Sequence, residues 1–310
     1  MNDLDPVFVS TVRDVFARLA ASADLSPVDR WQQLDDIGLA RLLAPASSGG
    51  SEAGWREVAV VLETAARQSV TTGIVGSDVL AGWLLRRAGL SDDAVLRGAG
   101  LIDDAGREIA VERVDGAESV VTLAKLGEEW TVSAAHQGDA EVDAHTGELF
   151  MLRGALCRSI QVAGALAEIN NITTEHVTTR TQFGRPLAKF QALQQVLADS
   201  AAQTALTAAT VDAAVATADA YEAGATALER LRFDVAVARS CAGHAASTVV
   251  RNAHQTLGAI GTTVEHRLHR YTMPALSWCA EFGSTQHWDD VVAQEAERVG
   301  ADGLWELIVG

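Results

Sequence analysis

The chain has 310 residues, 48% of them hydrophobic and 5% aromatic, with a formal net charge of −17. That length and apolar content support a sizeable core and exclude a disordered chain, and an alanine-rich, aromatic-poor balance favours packed helices over a β-sandwich. The acidic surplus argues against nucleic acid or an anionic membrane as partner, no apolar run reaches transmembrane length, and the opening MNDLDPVFVS lacks the basic start of a signal peptide, so a cytoplasmic protein is expected.

Helices are predicted first. Phe8, Val12, Phe16 and Leu19 recur at helical spacing, and a second helix is expected from Pro27 to Leu43, stopped by Pro45. Residues 47–50 read as a loop, and helical patterning resumes over 55–67 and 75–87. From Gly98 to His145 the character changes to short β-prone runs at 108–114, 119–126 and 130–134, punctuated by Gly, Asp and Ala. Leu156, Ile160, Ala163, Leu166, Asn170 and Val177 then mark one face of a long helix that ends at the FGRP turn of residues 183–186. Two more long helices are predicted over 190–220 and 225–255. The expected fold is mostly α (α+β), with an N-terminal helical domain (1–97), a reduced middle β segment (98–148) and a C-terminal four-helix bundle (149–310).

Few residues suggest metal or redox chemistry. Cys157, Cys241 and Cys279 are far apart and form no CxxC pair, so they read as small buried apolar residues. His244 and His254 lie ten residues apart; His266 and His269 share a face but lack a third ligand, so no metal site is expected. His136 and His145 fall in loops, and Asp289 and Asp290 are placed at the start of the terminal helix, where acids favour the dipole. Charge is more informative. Arg180, Arg185 and Lys189 occupy a stretch without acids, and Arg251, His254, His266, Arg267, His269 and Arg270 face the single Glu265. Basic islands in an acidic chain suggest either local phosphate recognition, for which the planar arginine fork is suited, or a solvated helix face.

Two segments carry a family resemblance. RTQFGRPLAKFQALQQVLAD at 180–199 closely resembles the RxxFGxPLxxFQxxxxxLAD signature of acyl-CoA dehydrogenases, and HQTLGAIGTTVEHRLHRY at 254–271 resembles their QxxGGxG segment. WQQLDDIGLARLLAPASSGG at 31–50 looks like the family's opening helical domain. The resemblance covers 1–95 loosely and 150–290 well. It implies FAD as cofactor, gripped at the interface with a neighbouring subunit. Carried over, Arg180 pairs with the pyrophosphate, Phe183 packs near the adenosine, and Gln191 and Gln255 hydrogen-bond phosphates or adenosine. Gly258 lets the backbone approach, beside Ala259 in place of a second glycine. Gln182, Gly184, Ser284 and Gln286 complete the implied contacts.

The same resemblance shows what is missing. Dehydrogenation of an acyl-CoA needs a carboxylate to take the α-proton. Counting from Gln255, the family's usual base position falls on Phe282 in AEFGSTQHW (280–288), and the minority position, counted back from Arg180, falls on Gly154. Glu281 is one residue away, which on a helix or turn is a swing of about 100°. The β segment is too short for the usual flavin-ring pocket and lacks the TEPxAGSD-like stretch; Trp130 reads as a sheet residue. No catalytic residue is therefore expected in this chain. It resembles the small subunit of the actinobacterial α2β2 acyl-CoA dehydrogenases that act on bulky steroid side-chain CoA thioesters. There a larger partner subunit supplies base and ring pocket, and electron-transferring flavoprotein is the expected acceptor. Two alternatives stand: a homo-oligomeric dehydrogenase using Glu281, and a non-catalytic CoA- or nucleotide-binding scaffold.

Overall fold

A computed structural model describes residues 4–22, 24–182 and 184–309. Phe183 lies outside the described residues. Contacts group the chain into two compact units, Met1–Cys157 and Arg158–Gly310.

In the first unit, α1 (Pro6–Ala21) is capped by Asp5 and buries Val12, Val15, Phe16 and Leu19. Helix α2 spans Pro27–Asp35, short of the predicted stop at Pro45. Gly38 takes φ 75°, and the Leu39 amide donates to the Leu34 carbonyl at 2.8 Å, so a left-handed glycine ends the helix first. The expected loop at 47–50 contains a 3-10 turn, Ala46–Ser48. After α3 (Trp55–Arg67), the predicted helix over 75–87 is a π-helix, Val75–Gly82, continued by α4 (Trp83–Arg87). The π segment docks on a strand. The Ser77 hydroxyl donates to the Arg97 carbonyl at 3.0 Å and accepts the Arg97 amide at 2.8 Å, and a Cβ on Gly76 would stand 2.8 Å from that carbonyl.

The sheet has order β2-β1-β3-β4-β5, with β1 (Arg97–Ile102) parallel to β3 (Ser119–Leu126) and the other neighbours antiparallel: β2 (Glu108–Glu112), β4 (Glu129–Ala134) and β5 (Gly138–Val142). Ala99, Leu101, Val121, Leu123 and Val132 fill its buried face. Strands β1 and β5 were not predicted. The first carries Gly98 and Gly100 and the second reads Gly-Asp-Ala-Glu-Val, compositions with little strand propensity of their own. Trp130 stands over Gly147, where a Cβ would lie 2.3 Å from the indole, so it is a packing residue of the sheet.

Helix α5 (Thr146–Thr179) is long and apolar enough to cross a membrane by length and composition, which corrects the sequence expectation; 89% of its most apolar window is buried within the protein, as in a core helix. Its later residues join the second unit with α6 (Gln191–Glu222), α7 (Leu228–Leu257), α8 (His269–Trp278) and α9 (Thr285–Val309). Val162, Leu166, Ile169 and Ile172 of α5 pack with Ala242, Ala245, Ala246 and Val249 of α7, small residues that permit close helix approach, and with Leu268 and Tyr271. Asn170 donates to Thr204 at 2.7 Å and Asn252 to Asp199 at 3.0 Å, tying α6 to its neighbours. Three local expectations are corrected. Helix α9 starts at Thr285, so Asp289 lies a turn inside it, where it accepts the Ser240 hydroxyl at 2.6 Å and faces His244 at 3.0 Å. Asp290, also inside, accepts Gln286 Nε2 at 2.8 Å. Cys157 is buried, but Cys241 and Cys279 are only half-buried.

Candidate functional site

Two places in the second unit hold the residues singled out by sequence. The first is the turn between α8 and α9. Glu281, Phe282 and Gly283 connect the helices with two left-handed residues, Phe282 at φ 52° and Gly283 at φ 96°. Glycine is required at the second, because a Cβ there would lie 2.6 Å from the Trp288 indole nitrogen. That indole donates to the Phe282 carbonyl at 3.0 Å. The Phe282 ring is 2% exposed, with the Arg158 guanidinium 5.7 Å from its centroid.

Arginines fix this turn. Arg239 of α7 is fully buried and its Nη2 donates to the carbonyls of Trp278, Glu281 and Gly283 at 2.5, 2.8 and 3.3 Å. Burial depresses its pKa and raises that of the neighbouring Cys279 thiol. Glu281 is held by its side chain. Its Oε2 accepts from Arg158 Nε at 2.8 Å and pairs with Nη2 at 2.6 Å, and its Oε1 accepts the Ser277 hydroxyl at 3.1 Å. Both carboxylate oxygens are thus engaged within the turn. Ser284 caps α9, its Oγ accepting the His287 amide at 3.2 Å. Gly154, the other base position, is buried along α5 in the first unit.

The second place is the basic end of the same unit. After α5, β6 (Thr181–Gln182) and β7 (Arg185–Pro186) form a tight hairpin, with Gly184 at φ 78°. The Leu187 amide donates to the Arg180 carbonyl at 2.9 Å and buried Leu187 anchors the hairpin. Arg180, Gln182 and Gly184 are exposed, as is Gln191 at the first residue of α6. Helix α7 ends at Gly258, whose φ of 63° only glycine adopts readily, and nothing lies within 4 Å of where its Cβ would be. Gln255 and Ala259 are exposed beside it, and His254 Nδ1 is buried without a hydrogen-bond partner.

The loop after Gly258 returns to α5. Arg267 reaches Glu168 and Glu175, each at 3.4 Å. His266 Nδ1 accepts the Leu268 amide at 3.2 Å, and His269 Nδ1 lies 2.8 Å from the His266 carbonyl. Burial, then the charges of Arg180 and His266, hold the His176 pKa below its ordinary range, and burial with Arg267 and His269 does the same to His266. Burial and Glu168 raise Tyr271. Among the described residues Arg180, Arg185, Arg251 and Arg270 make no ion pair, although acids outnumber bases 41 to 24 in the chain. The exposed arginines, the amides and the open glycine are groups whose chemistry suits a phosphate diester. Sequence reasoning missed Arg158, Arg239 and His176. The first two lie in helices with no local mark of their role, and His176 was detectable only by its i, i+4 spacing from Arg180. Among the described residues no group of three His, Cys, Asp or Glu is placed to hold a metal ion.

Comparison with known proteins gives the following likenesses. The family described as acyl-CoA dehydrogenase, C-terminal domain, matches residues 148–296. Acyl-CoA dehydrogenase IpdE2 of Mycolicibacterium smegmatis is 27% identical over 261 residues, spanning 78% of this chain and 79% of that protein. The ChsE4–ChsE5 complex from Mycobacterium tuberculosis has a chain matching 95% of this one and 97% of its own at TM-score 0.78 and 20% identity. A variant of the Tcur3481–Tcur3483 steroid ACAD matches 94% and 98% at TM-score 0.74 and 20% identity. These two likenesses show the fold.

Proposed function

We propose that this chain, whose residues 148–296 match the C-terminal domain of the acyl-CoA dehydrogenase family and whose fold is like that of the family's solved structures, is one subunit of an α2β2 FAD-dependent acyl-CoA dehydrogenase. A larger partner subunit supplies the glutamate base and the flavin-ring pocket; this chain grips the phosphate and adenosine end of FAD. The observation that carries the reading is Phe282: the usual base position is a buried phenyl ring inside the subunit's own core. The neighbouring Glu281 is tied to Arg158 at 2.6 Å and argues against a self-sufficient enzyme using it as base.

FAD, when bound, supplies the hydride acceptor. The residues present fit its tail: among the described residues Arg180 makes no ion pair and the Gln191 and Gln255 amides no side-chain hydrogen bond, and Gly258 leaves its surface open to a close-lying phosphate. Ser284 and Gln286 are engaged within α9, as cap and as donor to Asp290, and contribute less. A bulky, steroid side-chain acyl-CoA is the proposed substrate class. It is supported by the short β segment, which leaves room for a large acyl group, and by the naming of one fold relative as a steroid ACAD. Electron-transferring flavoprotein is the proposed acceptor.

The test is expression of the chain alone and together with the product of an adjacent dehydrogenase-like reading frame. The expected result is a colourless chain alone and a yellow complex that turns over CoA thioesters. Flavin and turnover in the chain alone would refute the reading; a colourless co-purified complex would favour a scaffold. Within the complex, Arg180→Ala should weaken FAD binding about 10- to 100-fold, as expected for one charge-assisted contact, while assembly persists.

A further inference from the structure

The His176 imidazole is the least explained group at the basic end. It sits four residues before Arg180, the residue just past α5, whose amide donates to the His176 carbonyl at 3.0 Å, and neither of its ring nitrogens has a hydrogen-bond partner among the described residues. It is half-buried rather than solvated. The charges nearest it are those of Arg180 and His266, both basic. The other titratable groups at this end are Glu168 and Glu175 on α5, Arg185 and Lys189 after the hairpin turn, Asp199 on α6, Glu265, Arg267, His269, Arg270 and Tyr271 on the loop and α8, and Arg251 and His254 at the end of α7. Glu168 and Glu175 are engaged with Arg267. A half-buried imidazole beside unpaired arginines is therefore kept neutral by its neighbours, and a negative ligand would reverse that balance. The position also needs cations. Both residues lie at the C-terminal end of α5, where the backbone dipole repels an anion, so the attraction must come from side chains.

We infer that His176 is a further anion-binding residue of this site: it takes up one proton as a diphosphate diester settles on Arg180, and holds the ligand as an imidazolium. His266 assists differently. Its Nδ1 accepts the Leu268 amide, so the neutral ring carries its proton on Nε2 and presents a donor there. The inference rests on the proposed FAD-binding role of Arg180 and adds to it a proton. The balance is simple: the diester keeps both negative charges, one proton leaves solvent for His176, and no bond is broken. Cofactor retention by this chain should then tighten as pH falls.

The experiment uses the complex purified with its partner subunit and stripped of flavin, titrated with FAD from pH 6 to 8.5. FAD is a suitable probe because its diphosphate diester does not itself titrate in that range. The expected result is affinity about tenfold tighter at pH 6 than at pH 8.5, the limit for one coupled proton being tenfold per pH unit. His176→Gln should hold affinity near the high-pH value at every pH, and His176→Lys near the low-pH value. Calorimetry in two buffers of different ionisation enthalpy should register proton uptake in the unsubstituted complex and none in either variant. Affinity that is flat with pH, or a slope that survives His176→Gln, overturns the inference and leaves the FAD reading standing. Affinity unchanged by Arg180→Ala overturns the FAD reading and the inference with it.

Discussion

Replacing Phe282 with glutamate puts a carboxylate at the position that the sequence resemblance assigns to the family's base. The structure makes a definite statement about the result. The ring being lost is 2% exposed, and truncating such a phenylalanine typically costs about 3–5 kcal/mol. The incoming carboxylate would enter the same space, and the cation beside it, Arg158, is already engaged by Glu281 at 2.6 Å and by Gln161 at 2.6 Å. Burying an acid with a contested partner adds about 1–3 kcal/mol. The sum, roughly 4–8 kcal/mol, is comparable to the whole stability of many domains, about 5–15 kcal/mol. Phe282→Glu should thus depress the melting temperature by about 10 °C or more, at about 2–4 °C per kcal/mol for a domain of this size. It should confer no dehydrogenase activity on the chain alone. Thermal unfolding and turnover of a CoA thioester, measured on one preparation, check both halves. A variant that melts with the parent and gains activity would show that the side chain at 282 faces a reaction site, and the account of the turn would be wrong.

Three further outcomes follow from the same structure. Glu281→Gln should lower stability by about 2–4 kcal/mol, because it leaves Arg158, whose side chain is 5% exposed, without its anion; turnover by the complex should persist, and its loss with intact folding would restore Glu281 as the base. Gly243→Ala should destabilise the second unit by about 1–3 kcal/mol in chemical denaturation, because the added Cβ would lie 2.1 Å from Thr285 Oγ1 where α9 begins; an unchanged midpoint would refute that packing. Asp78, 1% exposed on the π-helix, has its pKa raised by burial, against the opposing Leu43 amide and Arg86. The folded state therefore holds this proton more tightly than the unfolded one, and the carboxyl costs stability as pH rises through its folded pKa. Asp78→Asn should accordingly gain stability relative to the parent at pH 8 compared with pH 5, and a constant difference across that range would contradict it.

Much of the architecture was legible because its signals are long. Helices α5, α6 and α7 each span 30 residues or more, so apolar positions repeating every third or fourth residue had many turns in which to register. The hairpin at 181–186 was marked by Gly184 and Pro186. Short elements fared worse. Strands β1 and β5 owe their pairing to neighbours, and α2 was overextended because Gly38 was passed over in favour of Pro45. At the candidate site, sequence spacing singled out Phe282 and Glu281 but not the arginines that hold them. Arg158 and Glu281 are 123 residues apart, and nothing near Arg239 sets it off from any other helical arginine. Long-range ion pairs leave no periodic trace in a single sequence.

The Arg239 clamp has a consequence for how this turn tolerates change. Its three acceptors are main-chain carbonyls, which every residue possesses, so α7 adds to the turn a restraint that does not depend on which side chains lie at 278, 281 and 283. A single change some forty positions upstream, at Arg239, would release three carbonyls of the turn at once, so part of the fate of the turn is decided outside it.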